Sequence, residues 1–136
     1  MKHKGNTTDY AAERDGLLLK AYRDALSRAS RICLTDIFRE VAETPAPRFW
    51  VSEERAYAVI TKMEAGAEVN GMIPERQRMF REIHRRYREE RARNPQLSPF
   101  AAVTKIVNSP APRHYLTPRT IGELIYRAKK KLRAAK

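Results

Sequence analysis

Apolar residues recur every three or four positions along most of this chain, which is the spacing of helices that each bury one face. Leu18, Ala21, Tyr22, Ala25 and Ala29 form the first such stripe, and Asp9 stands where it can cap a helix over about 9–29. Thr35 is placed to cap a second helix, with Ile37, Phe38 and Val41 inward. Pro45 and Pro47 end that helix, because proline lacks the amide donor and pushes its predecessor out of the α region. Ser52 then caps a third helix with Ala56, Val59, Ile60 and Met63 inward, and Gly66 stops it. The pattern resumes at Pro74, which suits the first turn of a helix running to about Arg93, with Met79, Phe80, Ile83 and Tyr87 inward. Asn94-Pro95 closes it. Ser98-Pro99 and Thr117-Pro118 each put a capping hydroxyl before a proline at the first helical position, a specific start signal. The last helix, about 118–134, turns Ile121, Leu124, Ile125, Ala128 and Leu132 inward. No segment alternates apolar and polar residues long enough for a strand, so the expected fold is all-α.

The two halves of this pattern coincide at an offset of 65 residues, without a gap. Thr44-Pro45-Ala46-Pro47-Arg48-Phe49-Trp50-Val51-Ser52 falls on Ser109-Pro110-Ala111-Pro112-Arg113-His114-Tyr115-Leu116-Thr117. Tyr22-Arg23 meets Tyr87-Arg88, and Ala56, Val59, Ile60 and Met63 meet Ile121, Leu124, Ile125 and Ala128. The expected architecture is a tandem duplication of a three-helix unit. Residues 1–8 read as a flexible N-terminus, 9–66 as the first unit, 67–73 as a linker and 74–136 as a second, basic unit. Trp50 and Tyr115 are expected in equivalent places, each against its own third helix.

Charge separates the units. Residues 1–66 carry 11 Lys/Arg and 10 Asp/Glu, whereas 67–136 carry 17 and 6, so nearly all of the net +12 lies in the second half. Such a field attracts polyanions. No run approaches the ~18 apolar residues of a membrane span, and the N-terminal residues lack an apolar leader, so a soluble, cytoplasmic protein without membrane contact is expected. Cys33 cannot form an internal disulfide and, within Ile32-Cys33-Leu34, reads as a small core residue.

Catalytic chemistry finds no support in the sequence. His84 lies among arginines, and His114 takes the place of Phe49 in the sister unit, an aromatic packing slot. No Cys/His spacing suits zinc, no glycine-rich phosphate loop is present, and Glu53-Glu54 at a helix start is explained by the helix dipole. The expectation is a protein that is not an enzyme and takes no metal or cofactor. Arg48 and Arg113, in the repeated Pro-Ala-Pro-Arg turn, read as bonding a helix-end carbonyl or carboxylate, or as phosphate contacts before a helix N-terminus.

A short helix, a turn and a longer helix closing a three-helix unit resembles the helix-turn-helix of the homeodomain or Myb type. That resemblance implies a third helix entering the major groove. The turn from Pro45 to Val51 is longer than the family's three or four residues and has no glycine. In the second unit the outward face would present Arg119, Thr120, Glu123, Tyr126, Arg127, Lys130 and Arg133, joined by Lys129, Lys131 and Arg113. In the first unit it would present Glu53, Glu54, Tyr57, Thr61 and Glu64. Arg85 and Arg86, with Arg88, Arg91 and Arg93, read as a solvated helix face or as part of the same basic surface. Nucleic acid, DNA ahead of RNA, is therefore the expected partner, with the first unit left for a protein contact. The alternative reading is a protein-interaction or assembly module.

Overall fold

The structure, a computed structural model, describes residues 10–135. They form six helices: α1 (Ala11–Arg28), α2 (Leu34–Ala42), α3 (Glu53–Glu64), α4 (Pro74–Arg93), α5 (Pro99–Val107) and α6 (Pro118–Ala134). The protein is all-α. Three of the starts follow from hydroxyl caps: Ser52 accepts from the Arg55 amide, Ser98 from Ala101 and Thr117 from Thr120. α3 ends in a Schellman turn, with Gly66 at φ 100° and its amide on the Met63 carbonyl while the Ala67 amide reaches Lys62. The expected cap Asp9 and the N-terminal segment 1–8 lie outside the described residues.

Two expectations near α2 fail. The helix starts at Leu34, one residue before Thr35, with Cys33 in the cap position and no side-chain cap. Cys33 is exposed rather than buried, as are Ile32 and Leu34 on either side. An apolar trio is buried only if the chain carries it beneath a neighbour, and among the described residues none covers this helix start. Leu132, expected inward, is likewise 46% exposed in the last turns of α6.

The helices pack in an order that the chain order conceals. α1 and α2 lie against each other and against α6, while α4 and α5 lie against each other and against α3. Each third helix is thus seated on the helix pair of the opposite half. Two cores result. One joins Leu18, Tyr22, Ile37 and Val41 to Ile121, Leu124 and Ile125. The other joins Ala56, Val59 and Ile60 to Met79, Phe80, Ile83, Val103 and Val107. Each fully buried side chain of this size contributes ~1.5–3 kcal/mol relative to exposure. Gly122 has a packing reason in the first core: a Cβ there would stand 2.8 Å from the Phe38 ring.

The two Pro-Ala-Pro-Arg turns hold the exchange together. Ala46 and Ala111 form a reciprocal antiparallel bridge, with N–H to O distances of 3.0 and 2.8 Å. The Phe49 amide donates to the Val107 carbonyl at 2.9 Å, and 65 residues on the His114 amide donates to Ala42 at 3.0 Å. Phe49 stacks with Tyr115 and Trp50 with His114, ring centroids 5.9 and 6.1 Å apart. Each contact has its mate at the same offset, the reciprocity of an isologous two-fold interface, here between halves of one chain. Tyr115 departs from the symmetry. It is buried like Trp50, but in the core of α3, α4 and α5 and not in that of α6, the helix it leads into. Its φ of 58° lies in the left-handed region, at a cost of ~1–2 kcal/mol for a residue with a Cβ.

Candidate functional site

The central stack contains a buried histidine, and both of its ring nitrogens are engaged. The Trp50 indole N–H donates to His114 Nδ1 at 2.8 Å, so the imidazole proton must sit on Nε2, 3.1 Å from Thr44 Oγ1. Thr44 in turn donates to the Val41 carbonyl at 2.7 Å. A neutral ring satisfies the hydrogen bonds that run from Trp50 through His114 to Thr44, and burial depresses the His114 pKa to about 4. An unfolded chain takes up this proton near 6.5 and the folded one only near 4. Stability is therefore complete above pH 6.5 and falls by ~1.4 kcal/mol per pH unit on acidification toward 4, at most roughly 3 kcal/mol in all. Denaturation midpoints should drop between pH 6.5 and 4.5, and His114→Gln should flatten that window. Trp50 is the single tryptophan and stacks on the ring. Its fluorescence should therefore titrate near 4, not near 6.5, in the folded protein.

The exchange of helices also redistributes charge. Residues 10–47 and 113–135, which hold α1, α2 and α6, carry 13 Lys/Arg and 7 Asp/Glu, while residues 48–112 carry 12 and 8. The steep contrast between halves of the sequence becomes a mild one between packed bundles. What distinguishes the bundles is how their cations are matched.

On α4 the arginines are largely neutralised. Arg85 pairs with Glu82 and Glu89, both at 2.6 Å, and Arg86 with Glu82 at 2.7 Å. Burial raises the Glu82 pKa, but the bonds from Arg85 and Arg86 outweigh it and hold the carboxyl below its ordinary value. Arg86 also reaches the Pro110 carbonyl at 2.8 Å and lies over the Phe49 ring, which fastens α4 to the central turns. Glu90 is buried and bonded by Lys105 and Arg93, which lower its pKa. Arg88 pairs with Glu64 of α3 at 3.4 Å. The sister arginines of the turns are engaged too. Arg48 donates to the Phe49 and Val51 carbonyls at 3.0 and 2.6 Å, and Arg113 pairs with Glu43 at 2.6 Å and lies over Tyr115.

α6 differs. Arg119 faces Glu123 at 3.4 Å with its side chain 90% exposed. Arg127, Lys130, Lys131 and Arg133 are exposed and make no ion pair among the described residues. Arg119, Glu123, Tyr126, Arg127, Lys130 and Arg133 fall at spacings of three and four, so they form one stripe about 21 Å long at ~1.5 Å per residue. Tyr126 is 60% exposed within it, with the Lys130 ammonium 5.6 Å from its ring centroid. Thr120 is half-buried, and its amide and hydroxyl are both occupied by Thr117. Lys129 turns back to α1, its Nζ 4.6 Å over the Tyr22 ring and 3.4 Å from Tyr22 Oη.

The residues singled out in the sequence therefore separate into two places. Arg119, Tyr126, Arg127, Lys130, Lys131 and Arg133 share the outer side of α6. Arg85 and Arg113 line a shallow basin with Arg78, Arg81, Glu43 and Glu82. Among the described residues no group of three or more His, Cys, Asp and Glu is arranged to hold a metal, and no helix is long and apolar enough to cross a membrane. Comparison with protein-family models, curated proteins and solved structures finds no match to this chain.

Proposed function

We propose that this protein binds nucleic acid, duplex DNA in preference to RNA, without catalysing a reaction, through the outward stripe of α6. The observation that carries the reading is the contrast in charge matching: Arg78, Arg85, Arg86, Arg88 and Arg93 of α4 pair with carboxylates, whereas Arg127, Lys130, Lys131 and Arg133 of α6 are exposed and pair with none among the described residues. Gathering like charges on one helix face opposes folding unless an anion compensates it, and phosphates supply that anion. In the helix-turn-helix reading the unit is composite, with α1 and α2 from the first half presenting α6 from the second as the helix that enters the groove. Single strands fit less well, since stacking needs exposed aromatic rings among the cations and the stripe offers only Tyr126. The reading places the protein in the cytoplasm, with no metal, cofactor or membrane attachment.

The exposure of Ile32 and Leu34 favours a second reading, in which the first half meets a protein partner and the chain is an assembly module. A salt titration separates the two. Affinity for duplex DNA should fall linearly in log–log form by ~0.9 per phosphate contacted, and single-stranded DNA and RNA should bind more weakly. Absence of salt-sensitive affinity for any of the three would remove the nucleic-acid reading and leave the assembly module.

A further inference from the structure

A groove between α1 and α6 is lined by Arg23, Lys129, Leu132 and Arg133, three cations and no carboxylate. Resting on the nucleic-acid reading above, we infer that this groove is a seat for a backbone phosphate, and that Arg23, from the nearly neutral half of the sequence, is one of its ligands.

The internal repeat supplies the control. Sixty-five residues away, where α4 and α3 meet, Arg88 stands at the position of Arg23 and Glu64 at that of Lys129. Ala67 and Glu68 correspond in sequence to Leu132 and Arg133, but they lie past the end of α3, whereas α6 continues through both positions. Arg88 and Glu64 form an ion pair at 3.4 Å, and His84 Nε2 lies within hydrogen-bond distance of the same carboxylate, at 2.6 Å. The same crossing of helices is thus closed by opposite charges in one bundle and left with like charges in the other. Packing does not require the like charges, since the sister crossing is built without them. Tyr22 fixes Lys129 from below through its ring and hydroxyl, so the seat is shaped before any ligand arrives. Arg23 is exposed and makes no ion pair among the described residues. A phosphate diester bearing one negative charge suits this lining, because guanidinium and ammonium groups from both helices border the groove.

The test uses the intact chain and a 20-base-pair duplex, about two helical turns, followed by anisotropy over a range of salt. Arg23→Ala is expected to reduce the salt slope by ~0.9 and weaken binding roughly five-fold at 0.15 M salt, the effect of one lost phosphate contact. Arg88→Ala, at the equivalent place in the other bundle, should leave both unchanged. Arg23→Glu should weaken binding further while keeping or raising the melting temperature, because it restores an opposite-charge pair with Lys129. An unchanged slope in Arg23→Ala, with the wild-type chain still binding in a salt-dependent way, overturns the inference and leaves the proposed function standing. Loss of salt-dependent binding in the wild type itself removes both.

Discussion

Trp50→Ala is expected to lower the melting temperature by about 10–20 °C, the largest effect of any single substitution considered. The side chain is 3% exposed and fills the junction of the two turns. Truncating a buried aromatic of this size costs ~3–5 kcal/mol in lost burial and residual cavity. The substitution also removes the donor to His114 Nδ1, leaving a buried acceptor unsatisfied at ~1–3 kcal/mol, and takes away one of the paired stacks. Domains of this kind have ~5–15 kcal/mol of stability in total, so the variant should be near its unfolding limit at 37 °C. Trp50→Phe separates the contributions, since it keeps most of the ring but not the N–H. Melts followed by helical circular dichroism measure both. An unchanged midpoint for Trp50→Ala would show that the indole does not fasten the turns.

Replacing Lys129, Lys130, Lys131 and Arg133 with alanine should flatten the salt dependence of duplex binding by up to about 3.6, if all four meet phosphates. At 0.15 M salt that corresponds to an affinity loss of roughly 10²–10³-fold, alike for all sequences. Stability should change little, because these side chains make no ion pairs among the described residues and only Lys129 touches another helix. Arg119 and Arg127 lie higher on the same stripe. Changing either should alter sequence preference more than slope, as expected of side chains that reach base edges.

Element boundaries other than the start of α2 were legible where their causes are local. Ser52, Ser98 and Thr117 cap the helices they precede, and Gly66 takes the positive φ that the end of α3 needs. At the offset of 65 read from the sequence, α2 at Leu34–Ala42 falls on α5 at Pro99–Val107, while α4 begins two residues before the image of α1 and α6 runs five residues past that of α3. The partner of each third helix was not legible. An apolar stripe such as Ile121, Leu124 and Ile125 specifies that a face is buried, not which of two similar helix pairs buries it. The pairing of Ala46 with Ala111 and the crossed stacks of Phe49 and Trp50 accompany the exchange, and they are contacts between residues more than 60 positions apart.

The same distinction governs the candidate site. The basic character of α6 was visible in its composition, but the neutralisation of Arg85, Arg86 and Arg113 depends on Glu82 and on the distant Glu43. Arg23, inferred above to meet a phosphate, is inconspicuous in the sequence because it belongs to the half with little net charge. A comparison of positions 64 and 129 at the repeat offset, Glu against Lys, carried the signal.

Exchange of the third helices underlies both the fold and the proposed surface, and a chain cut in two tests it. With a protease site placed in the 67–73 linker, cleavage should leave the two pieces together. They should co-elute at the size of the intact protein, keep its helicity and part only when denatured, because α3 and α6 each remain buried on the other piece. Cleaved halves that separate into two folded three-helix monomers would contradict the exchange.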